Sequence, residues 1–344
     1  MKIAVGLSGG IDSASSALKL KNEGHEVIGI TMHLFNHQMQ EIENARQVAN
    51  QIGIPHFIAD FREAFEIQVI SPFIEAYEQG ETPNPCLFCN QSLKYGKLLD
   101  FASSKGADYF ATGHYANVKY DKNLNLYQLY KANHKPKDQS YNLYHLTQSQ
   151  LSKLIFPLGD AISKQAVRET YSKISLQQSD KKDSQGICFI ERGAQTHFLK
   201  SRGSHASEPG YFVDAKGRRL GRHLGISHYT IGQKRKLGLS VPHDYVVIAI
   251  DGNKNHVVLG KENDLYKEVI TLKSFHFINP SQILPAHVSV KTSQWSSLYT
   301  AMISLNADGN IQIDFNQPVR GITPGQAIVC YDDDILLGGG IYHI

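Results

Sequence analysis

Ile3-Ala4-Val5-Gly6-Leu7-Ser8-Gly9-Gly10-Ile11-Asp12-Ser13 is the stretch on which the reading of this chain turns. Ile3 to Val5 is a short branched apolar run, the composition of a strand buried in a parallel sheet. Gly6, Gly9 and Gly10 let the backbone turn tightly and approach a ligand with no Cβ in the way. Ser13 to Asn22 follows as a helix, with Gly24 placed to close it. A strand, a Gly/Ser loop and a helix N-terminus make an anion site, because free N–H groups and the helix dipole converge on one point. No Lys-Ser/Thr pair follows the glycines, so the loop is not built to clamp a γ-phosphate. A glycine-rich turn without function has the same composition, but its place directly after the first strand favours a nucleotide.

Ser8-Gly9-Gly10-Ile11-Asp12-Ser13 resembles the pyrophosphate loop of ATP pyrophosphatases, which cut between the α- and β-phosphates and leave AMP on a substrate oxygen. The bulk numbers fit a multidomain protein. The chain has 344 residues and a formal charge of +3, enough length for two or three cores and only a weak pointer to nucleic acid. It opens directly into a core strand without an apolar leader, and no run reaches a membrane span, so a cytoplasmic protein with no membrane partner is expected. Four cysteines are too few for a disulfide framework at this length and are read for reactivity or metals.

Residues 1–113 alternate strand and helix. Strands are expected at Glu26–Met32, Pro55–Ala59 and Asp108–Thr112. Helices are expected around Glu41–Gln51, over Arg62–Gln79 with a break at Pro72, and over Asn90–Ser104. That alternation predicts a parallel sheet with ligands at the carboxyl ends of its strands, where Met32 and Gly113 fall. Met32 suits a core methionine equally well on position alone. A hairpin, Tyr115–Tyr120 with Leu126–Lys131, and helices near Gln148–Ile155 and Ser163–Ile174 follow. Character changes near residue 205, where short glycine-rich segments begin. Lys216, Arg218, Arg219, Arg222, Lys234, Arg235 and Lys236 cluster there with Tyr211, Phe212 and Tyr229, and Asp214 is the nearest acid. Such a run usually marks a solvated face, but its density favours phosphate-backbone contact. From about 268 the pattern is period-two strands, with a hairpin across Ala307-Asp308-Gly309-Asn310 and two more strands around Asp332-Asp333-Asp334. The expected architecture is α/β: a parallel-sheet nucleotide domain over 1–205, a small central domain over 206–266 and a C-terminal antiparallel β-barrel over 267–344.

Three cysteines carry candidate chemistry. Cys86 and Cys89 lie in Thr82-Pro83-Asn84-Pro85-Cys86-Leu87-Phe88-Cys89-Asn90, just before a helix, where the dipole favours a thiolate. On spacing alone the pair reads as half a zinc site, a redox pair or chance, and no second ligand pair completes zinc. Cys188 sits in a polar, glycine-containing loop, 181–187, that runs into an apolar segment; small core residue and reactive thiol both remain open. Cys330 reads as a strand filler. No histidine spacing suggests a hydrolytic metal, and His114 follows Gly113 at a strand end.

These pieces together resemble the bacterial tRNA-specific 2-thiouridylases. The resemblance rests on the 8–13 loop, Thr82-Pro83-Asn84-Pro85 with Cys89-Asn90, Ala111-Thr112-Gly113-His114-Tyr115, Lys137-Asp138-Gln139-Ser140-Tyr141, Asp183-Ser184 with Gly186-Ile187-Cys188-Phe189-Ile190, Tyr229-Thr230-Ile231-Gly232-Gln233, Thr323-Pro324-Gly325-Gln326 and Leu337-Gly338-Gly339-Gly340. It implies that ATP adenylates the C2 oxygen of a wobble uridine, which sulfur then replaces. By the same carry-over, Gly6, Leu7, Ser8, Gly9, Gly10, Ile11, Asp12 and Ser13, with Met32 and Gly113, hold ATP, and Asp12 helps place Mg²⁺. Cys188 receives persulfide sulfur from a donor, a cysteine desulfurase or a relay protein. Cys89 resolves the persulfide through a transient disulfide with Cys188. Asn84, Pro85 and Cys86 face the target base, and His114, Lys137, Asp138, Gln139 and Gln326 touch tRNA.

Two departures from the family pattern stand out. Cys86 occupies a position that is often Asp, which assembles three cysteines, Cys86, Cys89 and Cys188, able to ligate an iron–sulfur cluster with one open iron. Ser293-Gln294 stands where Arg-Tyr is common, with Lys291 and Trp295 as neighbours. Two other readings share part of this pattern: an amide-forming ATP pyrophosphatase acting on a small molecule, and a non-catalytic nucleotide-sensing RNA-binding protein. The first has no use for two separated cysteines and a basic domain. The second would not release pyrophosphate when given tRNA.

Overall fold

The computed structural model describes residues 1–172, 186–191, 193–240 and 244–343. The N-terminal part is a five-stranded, all-parallel sheet. β1 (Lys2–Gly6) lies between β2 (Glu26–His33) and β4 (Tyr109–Ala111), β3 (His56–Asp60) is outside β2, and a two-residue strand, Leu154–Ile155, is outside β4. Strand alternation divides the core between the two faces. Ile3 and Val5 pack with Ala14, Ala17, Ala45 and Val48 of α1 (Ile11–Asn22) and α2 (Met39–Ile52), whereas Ala4 packs with Tyr95, Leu98 and Phe110 on the other side. Strand order reverses at β1, so the crevice between the carboxyl ends of β1 and β4 is the switch point where α/β sheets take ligands.

Two helical regions depart from simple α geometry. The 62–79 stretch breaks as its proline requires: α-helix at Arg62–Phe65, i→i+5 bonding over Glu66–Ile70, then α-helix from Ser71 with Pro72 in its first turn. Pro72 has no N–H to give, and the widened turn absorbs the missing bond. Likewise Pro85–Phe88 runs into i→i+5 bonded Cys89–Lys97 and returns to α-helix over Leu98–Ser104. The helix expected through Ile155 stops at Leu151, and Leu154–Ile155 is a strand instead. A two-residue strand is too short to show a period, and the Thr147–Gln150 capping box pointed to the helix alone. The Ser163–Ile174 helix is Lys164–Ser172 within the described residues.

A four-stranded sheet follows, in the order Tyr245–Asp251, His256–Lys261, Gly210–Asp214, Arg219–His223. The last part forms a nine-stranded antiparallel sheet. Its membership was not visible in chain order: the early hairpin, Ala116–Asp121 with Leu126–Lys131, attaches to its final strand, pairing Leu129 with Leu336 and Tyr130 with Ile335. No helix among the described residues is long and apolar enough to cross a membrane.

Candidate functional site

At the switch point opens a cavity of about 560 Å³. One wall is the loop after β1. Leu7 N–H donates to Ile30 O at 2.8 Å, and Thr31 Oγ1 donates to Leu7 O at 2.8 Å, tying the loop's start to β2. Ser8 N–H donates to Ser13 Oγ at 3.2 Å, and Ser13 Oγ donates to Gly10 O at 3.0 Å, folding the loop back on its own helix. Gly9 is left-handed (φ +72°), and a Cβ there would stand 3.0 Å from Asn44 Cβ, so the loop lies flat on α2. Gly10 takes the N-cap position of α1 without a side-chain cap, leaving the first N–H groups to a ligand. From β4, Gly113 fits so closely that a Cβ would meet Ser13 N at 2.8 Å. Gly6, Leu7, Ser8, Asp12, Ser13, Met32 and Gly113 all line the cavity.

The opposite wall bears sulfur. Asn84 Oδ1 accepts from Cys86 N–H at 3.1 Å and starts the helix, Pro85 occupies its first turn, and Asn84 Nδ2 donates to Asn142 Oδ1 at 3.3 Å. Cys188 lines the cavity directly. It is held there by its neighbour Phe189, whose ring lies edge-on to Phe65 (5.4 Å between centroids) and Phe73 (5.5 Å) and packs against Phe198 (5.4 Å). Gly186 and Ile187 of the same motif also line the cavity, whereas Asp183 and Ser184 fall outside the described residues. Cys86 and Cys188 keep exposed surface and Cys89 is half-buried, yet enough protein crowds each sulfur for burial to dominate its titration. Burial therefore pushes the Cys86 thiol up, Cys89 up to about 11 and Cys188 up to about 12, against the lowering charge of Lys94. The dipole-stabilised thiolate expected at the helix start is thus outweighed by desolvation. Cys330 is fully buried in the C-terminal core, as a strand filler should be.

His114 also lines the cavity, and its Nδ1 lies 2.7 Å from Tyr95 Oη and 3.0 Å from Thr112 Oγ1. Burial and the Lys94 charge hold its pKa well below the usual histidine value, so it is neutral. Gln139 lines the same cavity, and its Oε1 accepts from Tyr115 N–H at 3.1 Å. The neighbouring Asp138 is buried: its carboxylate accepts from Ala132 N–H at 3.0 Å and from Ser140 Oγ at 2.9 Å, shaping the 137–140 turn from within. Lys137 is half-buried beside it. Gln326 Nε2 donates to Thr82 O at 2.5 Å, and Thr82 N–H donates to Pro324 O at 2.8 Å, so the 323–326 turn straps the loop that leads to Asn84. In the basic cluster, Arg218 pairs with Asp214 and Lys234 with Glu262, while Arg219 lies over the Tyr211 ring at 4.0 Å.

Three side chains at the site escaped the sequence reading. Lys164 Nζ stands 2.6 Å from both Asp12 carboxylate oxygens, and Tyr115 Oη donates to Asp12 Oδ1 at 2.8 Å. Lys94 lines the cavity five residues beyond Cys89. Asp12, with its oxygens taken up by an ammonium and a phenol, does not fit a metal ligand as arranged. Nor do Cys86, Cys89 and Cys188 fit a cluster: among the described residues no three His, Cys, Asp or Glu side chains gather closely enough to hold a metal ion.

A parallel sheet with an anion-binding loop at its switch point and two β-sheet units behind it defines a nucleotide-binding α/β enzyme class. Family models agree along the chain: a tRNA methyl transferase HUP domain over residues 1–192, a tRNA methyl transferase PRC-barrel domain over 196–261 and an aminomethyltransferase beta-barrel domain over 267–342. The tRNA-specific 2-thiouridylase MnmA of Acetivibrio thermocellus is 40% identical, covering 99% of this chain and 98% of that protein. That of Clostridioides difficile is 40% identical, covering 99% and 97%. A solved U34-tRNA thiolase NcsA from Methanococcus maripaludis with its 4Fe-4S cluster is 20% identical, covers 60% of this chain and 65% of that one, and has a TM-score of 0.36, too low to carry an argument about ligands. The chain belongs to the tRNA-specific 2-thiouridylase family.

Proposed function

We propose that this protein is a tRNA sulfurtransferase that makes 2-thiouridine at the wobble position, consuming ATP and releasing AMP and pyrophosphate. The observation that carries the reading is the shared cavity: the pyrophosphate-type loop and Cys188 line one space. A uracil carbonyl oxygen is a poor leaving group. Its attack on the α-phosphorus of ATP, with pyrophosphate departing, converts it to an AMP ester that a sulfur nucleophile can displace. The loop and the α1 N-terminus hold the phosphates, and Met32 and Gly113 border the adenosine. Mg²⁺ accompanies ATP rather than a preformed protein site. The terminal sulfur of a Cys188 persulfide attacks C2 and expels AMP, leaving a Cys188–S–S–C2 adduct. The Cys89 thiolate then attacks Cys188 Sγ, which breaks the adduct, leaves C2=S on the base and forms a Cys89–Cys188 disulfide. A two-electron thiol reductant reopens it.

The tRNA contacts divide by geometry. Asn84, Pro85 and Cys86 border the target base, and His114, Lys137 and Gln139 meet RNA at the cavity. Asp138 and Gln326 act by holding the loops that present those groups. On this reading 1–205 is catalytic, and 206–266 with 267–344 grips the tRNA body. The protein works in the cytoplasm with a cysteine desulfurase or sulfur-relay protein. The domain descriptions speak of methyl transfer; paired thiols beside an ATP loop suit sulfur transfer instead. The test is mass spectrometry of nucleosides from tRNA incubated with the protein, ATP, Mg²⁺ and a persulfide source. An ATP-dependent 2-thiouridine peak is expected. AMP and pyrophosphate without a thiolated base would overturn the acceptor or donor assignment.

A further inference from the structure

Lys94 is the cation of the cavity that the reaction above leaves unused. It lines the same space as Ser8, Ser13 and Cys188, and among the described residues no carboxylate or hydrogen-bond acceptor partners its ammonium. Its reach to the thiols comes from the helix. In α geometry a residue five positions on from Cys89 is turned about 140° away from it. The i→i+5 bonded turns over Cys89–Lys97 hold roughly 4.4 residues each, which brings that angle to about 50°. Lys94 is thereby turned to the Cys89 face while its head stays in the cavity.

We propose that Lys94 is the positioning charge of the sulfur-transfer half-reaction, stabilising the thiolate and persulfide anions formed at Cys89 and Cys188. Its charge opposes burial at all three thiols, at Cys86 and Cys89 directly after burial and at Cys188 after burial and the raising effect of Cys89 and Cys86. Among the described residues, the other charged or titratable groups of the cavity besides Cys188 are His114 after β4, which is neutral, Asp12 on α1, which is ion-paired to Lys164, and the exposed Glu41 on α2. Among the described residues no other cation lines the space. This assignment deepens the thiouridylase reading and rests on it.

The test needs neither ATP nor tRNA. Reduced wild type, Lys94→Met, Lys94→Gln and Lys94→Arg are alkylated with iodoacetamide at pH 8, and each cysteine peptide is quantified by mass spectrometry. Loss of the charge is expected to slow alkylation of Cys89 and Cys188 roughly three- to tenfold, the equivalent of half to one pH unit. Lys94→Arg should stay within about twofold of wild type, and added salt should slow only the charged forms. Equal rates in a folded neutral variant, shown by its melting curve, would overturn the proposal. So would unchanged rates accompanied by weakened ATP binding, which would give Lys94 to the phosphates. Because alkylation is read without turnover, this failure is distinct from an absence of 2-thiouridine.

Discussion

Across one cavity, the nucleotide wall is shaped by backbone and the sulfur wall by packed side chains. On the first, Gly9 and Gly113 let main chain meet main chain, and Ser13 folds the loop onto its own helix. On the second, Cys188 is placed by the Phe189 ring among Phe65, Phe73 and Phe198, and the helix of Cys86 and Cys89 is anchored through its own Asn90, which donates to Asn142 O, and its own buried Tyr95. A backbone-built site admits no added atom. A site built of side chains tolerates small changes but inherits the titration and burial of everything behind it.

The sharpest way to break that contrast is Gly113→Val. Its Cβ would stand 2.8 Å from Ser13 N and 2.9 Å from Asp12 C, with backbone unable to yield. Misplacement of the loop by about 1 Å should cut tRNA-dependent pyrophosphate release about a hundredfold. A valine enzyme with near wild-type release would show that the loop adapts. Behind the sulfur wall, the second test is pH. His145 is buried beside Tyr95, and burial lowers its pKa to about 3. The unfolded chain therefore binds a proton that the folded one refuses, so stability falls as pH drops below about 6.5 toward 3. At pH 5 that loss amounts to about 2 kcal/mol. His145→Leu should lessen the pH 7 to pH 5 loss by about that amount, read by urea unfolding, with buried His114 keeping its own share; an unchanged loss would mean that His145 opens to solvent. The smallest effect belongs to the basic cluster, none of whose seven cations lines the cavity. Arg222→Ala should weaken tRNA binding a few-fold and lower the salt slope by about one ion, with pyrophosphate release per bound tRNA unaltered.

What the sequence revealed follows the same division. β1, its loop and α1 are local, since strand composition, glycines and the closing Gly24 lie within two dozen residues and each states its own conformation. Cys89 and Cys188 stood out by motif, but their raised thiol pKa values come from burial, which only the folded chain imposes. Lys94 was invisible because the expected α period turns it away from Cys89, and only the i→i+5 turns bring it round. Lys164 was invisible because its partner, Asp12, lies 152 residues earlier. The 116–131 hairpin read correctly as a hairpin, but its attachment to Leu336 is a pairing that no local pattern encodes.

The most direct test of the claim that one cavity houses two separable half-reactions is Cys188→Ser given ATP and unmodified tRNA. The account predicts pyrophosphate release close to that of wild type over a single turnover and no 2-thiouridine. Loss of both together would contradict it, since adenylation would then depend on the wall that carries sulfur.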